Sequence, residues 1–219
     1  MIKNNYFSKI KVLLLASALL TLAISTTVFA ASQLNNKSTP ADSPVLKNAV
    51  ILIIRHGEKP DSGCGLSPEG QERAMAYVNY FKNFTVDSKP LRLDYLFAGA
   101  DTKDSHRPRL TIEPLGKALG LSIDTRFQNT EFSELAHEIQ IRPHGKNILI
   151  CWRHGEIPNL LSAFGVDPGK FIPNAKWPED VFGWLFQLRY DENGHLFDVK
   201  RIDENLLPDD SNKDTLAAP

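Results

Sequence analysis

The tetrapeptide Arg-His-Gly-Glu occurs twice in this chain, at residues 55–58 and 153–156. Each copy closes an apolar run, Val-Ile-Leu-Ile-Ile before Arg55 and Ile-Leu-Ile-Cys-Trp before Arg153. A neutral imidazole carries a lone pair on one ring nitrogen and can attack phosphorus. A guanidinium donates two parallel hydrogen bonds to adjacent phosphate oxygens. His56 and His154 delivered to one place together with Arg55 would grip and attack a phosphate.

The elements that must position them follow from the pattern. Short, β-branched, uninterrupted apolar runs read as strands buried on both faces, as in parallel sheets. The ligand crevice of such sheets lies beyond the carboxyl ends of the strands, where both tetrapeptides begin. After the first copy, a loop at 58–65 leads to a helix with Ser67 as N-cap and Pro68 in its first turn. Ala74, Tyr77, Val78 and Phe81 form the buried stripe of that helix. A strand is expected at 91–98, then a polar loop, a helix from Arg107 to Leu119 stopped by Gly120, and a short strand within 121–127. Weak helical character at 131–141 and a helix at 159–164 flank the second tetrapeptide. The loop at 165–180 holds three prolines around Phe171 and Trp177, and reads either as a lid or as packing over the core. Residues 182–190 and 196–202, with Gly194 between them, read as a β-hairpin. The expected fold is α/β, a three-layer α/β/α sandwich with a mostly parallel sheet and an antiparallel C-terminal hairpin.

The first thirty residues stand apart. Lys3, Lys9 and Lys11 precede an apolar stretch and a Val-Phe-Ala site ending at Ala30, the pattern of a secretory signal peptide. The expected organisation is a signal peptide at 1–30, a flexible leader at 31–46, a catalytic domain at 47–205 and a loose tail at 206–219. The expected location is periplasmic or secreted, without stable membrane insertion once the signal is cut. The whole chain carries a formal net charge of −1, and removing the three signal lysines leaves 22 basic against 26 acidic residues. A mildly acidic protein lacks the basic face that nucleic acid requires. Two cysteines, Cys64 and Cys151, leave a disulfide open in an oxidising compartment. Neither has metal-ligand spacing, so no metal and no cofactor is expected.

Three further segments extend the signal. The strand-Arg55-His56-Gly57-Glu58 element is followed by Leu66-Ser67-Pro68-Glu69-Gly70, then by Ser105-His106-Arg107 with Thr111 four residues after Arg107, and last by His154-Gly155. In this order the chain resembles the phosphoglycerate-mutase-like histidine phosphatases, over about residues 50–165. The resemblance implies that the substrate phosphorylates His56 and that water then releases the phosphate. It implies that Arg55, Arg107 and His154 hold the phosphoryl oxygens in both steps. It also implies a small phosphorylated substrate and a reaction without metal.

Two departures from that pattern matter. The residue before the second histidine is usually small in the family, and here it is Arg153. Arg153 either adds positive charge beside the phosphate or points to the opposite face of its strand. The acid that would protonate the leaving group has four candidates, Glu58, Glu131, Glu134 and Glu156, and none fits cleanly. Without an effective acid the alternative function is a non-catalytic phosphate-ligand binder on the same fold. Lys59 and Asp61 either shape specificity or belong to a solvated loop.

Overall fold

A computed structural model of the protein describes residues 45–210. The expected signal peptide, residues 31–44 of the leader and residues 211–219 of the tail lie outside the described residues. Among the described residues, no helix is long and apolar enough to cross a membrane.

The chain runs β1 (Val50–Arg55), α1 (Pro68–Lys82), β2 (Thr85–Val86), β3 (Lys89–Pro90), β4 (Tyr95–Ala98) and α2 (Arg107–Leu119). It continues with β5 (Ile123–Asp124), α3 (Phe132–Ile141), β6 (Asn147–Trp152), α4 (Ile157–Ala163), β7 (Trp184–Tyr190) and β8 (Leu196–Asp203). Six strands form one sheet in the order β5-β4-β6-β1-β7-β8. β5, β4, β6 and β1 are parallel, and β7 and β8 add antiparallel pairings at one edge. Strands β2 and β3 pair as a separate small hairpin that the sequence pattern did not signal.

The two central strands explain the layers. Successive side chains of a strand point to opposite faces. Ile51 and Ile53 therefore join Ile148, Ile150 and Trp152 in one core, against α3 and α4. Leu52 and Ile54 join Leu149 and Cys151 in a second core, against α1 and α2. Apolar runs without alternation are what a sheet covered on both faces demands. The result is the three-layer α/β/α sandwich with a mixed, mostly parallel sheet.

Helix ends follow their local chemistry. The Ser67 hydroxyl accepts from the Gly70 amide at the start of α1. α2 ends at Gly120 with φ 69°, a left-handed conformation that costs glycine little. Gly194 supplies the positive φ of the β7–β8 turn.

Two expectations are corrected here. The strand expected at 91–98 is regular only from Tyr95, because Leu91 pairs its amide with Phe84 in the turn beside the small hairpin. The tail expected to be loose after Asn205 is anchored in its described part at Leu207 and Asp210, with Pro208 and Asp209 exposed between them. Asp210 is 3% exposed, and its carboxylate accepts from both terminal nitrogens of buried Arg73. A polar sequence hid this, because the partner that orders Asp210 lies 137 residues away.

Candidate active site

β1 and β6 are adjacent and parallel, so both tetrapeptides leave the sheet on the same edge. Their register is staggered: Arg55 pairs with Trp152, one residue out of step with Arg153. Identical sequences thus enter different surroundings. Arg55 is 2% exposed, whereas Arg153 is exposed.

Arg55 is fixed by the long loop before β7. Its Nη1 donates to the carbonyls of Pro178, Glu179 and Val181 at 3.2, 3.0 and 2.7 Å. Its guanidinium lies 3.6 Å from the Phe182 ring centroid, a cation–π contact. Burial lowers Arg55 from its ordinary value to about 9, so it stays a cation at neutral pH. The same loop buries Trp177 against Trp184 and Phe186, so Phe171 and Trp177 are core packing.

His56 is 5% exposed. Its Nδ1 lies 2.8 Å from the Gly57 carbonyl, which can only accept, so Nδ1 carries the proton and donates. Nε2 is left with the lone pair. Burial, and next the Arg55 charge, hold the imidazole down to about 3, so it is neutral in ordinary buffers. Nε2 lies 3.5 Å from His154 Nδ1, and the rings meet edge-on at 5.5 Å. Burial, then Arg55 and Arg153, lower His154 to about 4.

Gly57 keeps a φ outside the left-handed region, so its glycine is not needed for conformation. It is required for a close approach: a Cβ there would meet the Gly70 backbone at 3.2 Å. Gly70 answers in kind, since its own Cβ would lie 2.6 Å from the Glu58 carbonyl. The loop after β1 is thereby seated on the first turn of α1.

A cavity of about 590 Å³ opens beside these residues, lined by Arg55, His56, Arg107 and His154 together. Arg153 and Lys59 line it too, which answers the question left by strand alternation: Arg153 faces the same cavity as the two histidines. Arg107 opens α2, and its amide nitrogen lies 3.4 Å from the Ser105 hydroxyl. Burial, then the Arg153 charge, lower the Arg107 guanidinium. The Nε atoms of Arg55 and Arg107 are buried and have no hydrogen-bond partner among the described residues.

None of the four expected carboxylates lines this cavity. Glu58 is held by Arg73 at 2.7 Å on the α1 side. Glu131 accepts from the Gln128 amide, Glu156 accepts from Asn159, and Glu134 is exposed on α3. The carboxylates on the wall are Asp104 and Glu179, both missed. Asp104 lies three residues before Arg107, and that proximity was a usable signal. Glu179 had none, because only the folded loop after α4 carries it to the site.

Both cysteines are free. Cys151 is buried in the core, and Cys64 Sγ lies 3.6 Å from His106 Nδ1. Among the described residues, no group of three or more His, Cys, Asp or Glu side chains could hold a metal ion.

No protein-family model matches the chain, and no curated protein matches it. Several solved structures are similar to it. One is the protein histidine phosphatase SixA complexed with tungstate, 14% identical with a TM-score of 0.46, covering 71% of this chain and 97% of that one. Another is a phosphoglycerate mutase from Plasmodium falciparum, 15% identical with a TM-score of 0.48, covering 72% and 92%. A third is a mycobacterial glucosyl-3-phosphoglycerate phosphatase, 14% identical with a TM-score of 0.45, covering 72% and 98%.

Proposed function

We propose that the protein is a phosphomonoester hydrolase that works through a phosphohistidine on His56. The observation that carries this reading is the tautomer of His56. The Gly57 carbonyl takes the Nδ1 proton, which leaves a neutral, nucleophilic Nε2 at a cavity ringed by cations. The unpaired Nε donors of Arg55 and Arg107 support it, because phosphoryl oxygens would supply their acceptors.

In the first step, His56 Nε2 forms a bond to phosphorus as the phosphorus–oxygen bond to the leaving group breaks. Arg55 and Arg107 neutralise charge on the phosphoryl oxygens. His154 lines the same cavity and donates a ring N–H to the same oxygens. The leaving oxygen takes a proton from Asp104 or Glu179, or from water. In the second step, water attacks phosphorus and gives a proton back to the group that protonated the leaving oxygen, the nitrogen–phosphorus bond breaks, and phosphate leaves with His56 neutral again.

The test is turnover of p-nitrophenyl phosphate by the wild-type chain and by His56→Ala. Turnover lost in the variant supports the hydrolase. Equal rates favour a phosphate-ligand binder on the same fold. Export completes the proposal, on the strength of the cationic start, apolar stretch and Ala30 site of the first thirty residues. N-terminal sequencing of the protein from its native host checks it, with Ala31 expected as the first residue.

A further inference from the structure

We infer that the cavity holds a second oxyanion subsite built by Arg153 with Lys59, so that the preferred substrate is a phosphomonoester carrying another anionic group. The inference rests on the hydrolase reading for its first subsite and goes beyond it in the second.

The cavity wall carries four cationic side chains against two carboxylates, Asp104 and Glu179, an excess of positive charge. Arg55, Lys59, Arg107 and Arg153 all line it, and none of them makes an ion pair with any described residue. His154 is influenced by all four. Burial, then the nearby Arg153 charge, lowers the Arg107 guanidinium. Unpaired like charges held together cost free energy unless an anion joins them.

Their depths divide them. Arg55 and His56 are buried, and Arg107 is half-buried at the start of α2. Arg153 and Lys59 are exposed at the outer part of the wall. The one-residue stagger between β1 and β6 produces this division. It sends Arg55 inward under the β7 loop and leaves the second arginine free at the mouth. A phosphoryl group at His56 engages the inner cations, and the outer two remain for a second group of the same molecule. The cavity volume of about 590 Å³ falls within the range of sites for whole small molecules, about 300–1,000 Å³. A guanidinium fork accepts a phosphate or a carboxylate equally well. The recognised feature is therefore the oxyanion.

The experiment measures binding by calorimetry to the full-length His56→Ala chain, which does not depend on turnover. The ligands are fructose 6-phosphate, fructose 1,6-bisphosphate and 6-phosphogluconate. The expected result is binding of the bisphosphate about tenfold or more tighter than the monophosphate, with the ratio falling toward one in His56→Ala/Arg153→Ala. Tight 6-phosphogluconate binding assigns the subsite to oxyanions in general, and weak binding restricts it to phosphate; both require the ratio to depend on Arg153. Equal affinities for mono- and bisphosphate, or a ratio indifferent to Arg153, overturn the inference. If His56→Ala shows no cooperative melting, the same ratio is read as kcat/KM in wild type and Arg153→Ala. The hydrolase reading stands or falls separately, on turnover of p-nitrophenyl phosphate by the wild-type chain.

Discussion

The amide of Gly57 donates to the hydroxyl of Thr111 at 2.8 Å, deep in the fold, across 54 residues of sequence. The same hydroxyl donates to the Arg107 carbonyl at 2.8 Å. One side chain thus ties the loop carrying His56 to the helix turn carrying Arg107. Thr111→Val keeps the shape and deletes both bonds, leaving a buried N–H without an acceptor. The expected cost is about 1–3 kcal/mol of stability, read by chemical denaturation. A fall of about 10- to 100-fold in kcat/KM should accompany it, because the two phosphate-handling residues lose their common reference.

Arg73 is the second tie. It is 1% exposed and bonded to Glu58 on one side and Asp210 on the other. Removing Asp210 leaves Arg73 Nη1 without its carboxylate acceptor while Glu58 still offsets the guanidinium charge, at a cost of about 1–3 kcal/mol. Asp210→Ala is therefore expected to lower the urea midpoint. Asp210→Asn, which keeps the size but not the charge, should recover only part of the loss.

The two histidines make stability depend on pH in a defined direction. His56 and His154 are held down to about 3 and about 4, against an ordinary value of 6.5. Between those limits the unfolded chain binds protons that the native chain refuses, so stability rises with pH and falls as the solution is acidified below about 6.5. The loss continues until pH reaches about 4 for His154 and about 3 for His56. His56→Gln should flatten the dependence across the upper part of this window, where the lowered carboxyls of Asp124 and Asp210 do not yet titrate. Thermal melts of both proteins at several pH values read the difference.

Arg55 tests geometry apart from charge. Lysine keeps the cation but has no planar fork to hold the carbonyls of the loop before β7 while facing a phosphoryl group. Arg55→Lys is expected to lower kcat/KM by 10-fold or more, on the order expected when one charge-stabilising donor is lost from a reacting centre. Steady-state kinetics with p-nitrophenyl phosphate checks this, and wild-type rates would show that the fork is dispensable.

The core of the fold was legible because its rules are local. Apolar runs at 50–54 and 148–152 read as two-sided strands, and Ser67, Pro68 and Gly120 mark helix ends by their own conformational preferences. Residues 55, 56, 107 and 154 were legible for the same reason, since each sits where a strand ends or a helix begins. Asp104 and Glu179 were missed because nothing in their immediate sequence distinguishes a cavity wall from a solvated loop. Glu58 misled because its position beside His56 says nothing of the Arg73 side chain that claims it. Asp210 was misread for the same reason from the other end. The side of the strand on which Arg153 emerges depends on register between two strands, which sequence alone leaves open.

The most direct measurement is to trap the intermediate. Wild-type protein mixed with a labelled phosphomonoester and quenched in alkali, where phosphohistidine survives, is digested and mapped by mass spectrometry. The account predicts phosphate on the peptide containing His56, lost on brief acid treatment and absent from His56→Ala. Turnover by wild type with no phosphate on His56, or label retained in the alanine variant, would contradict it.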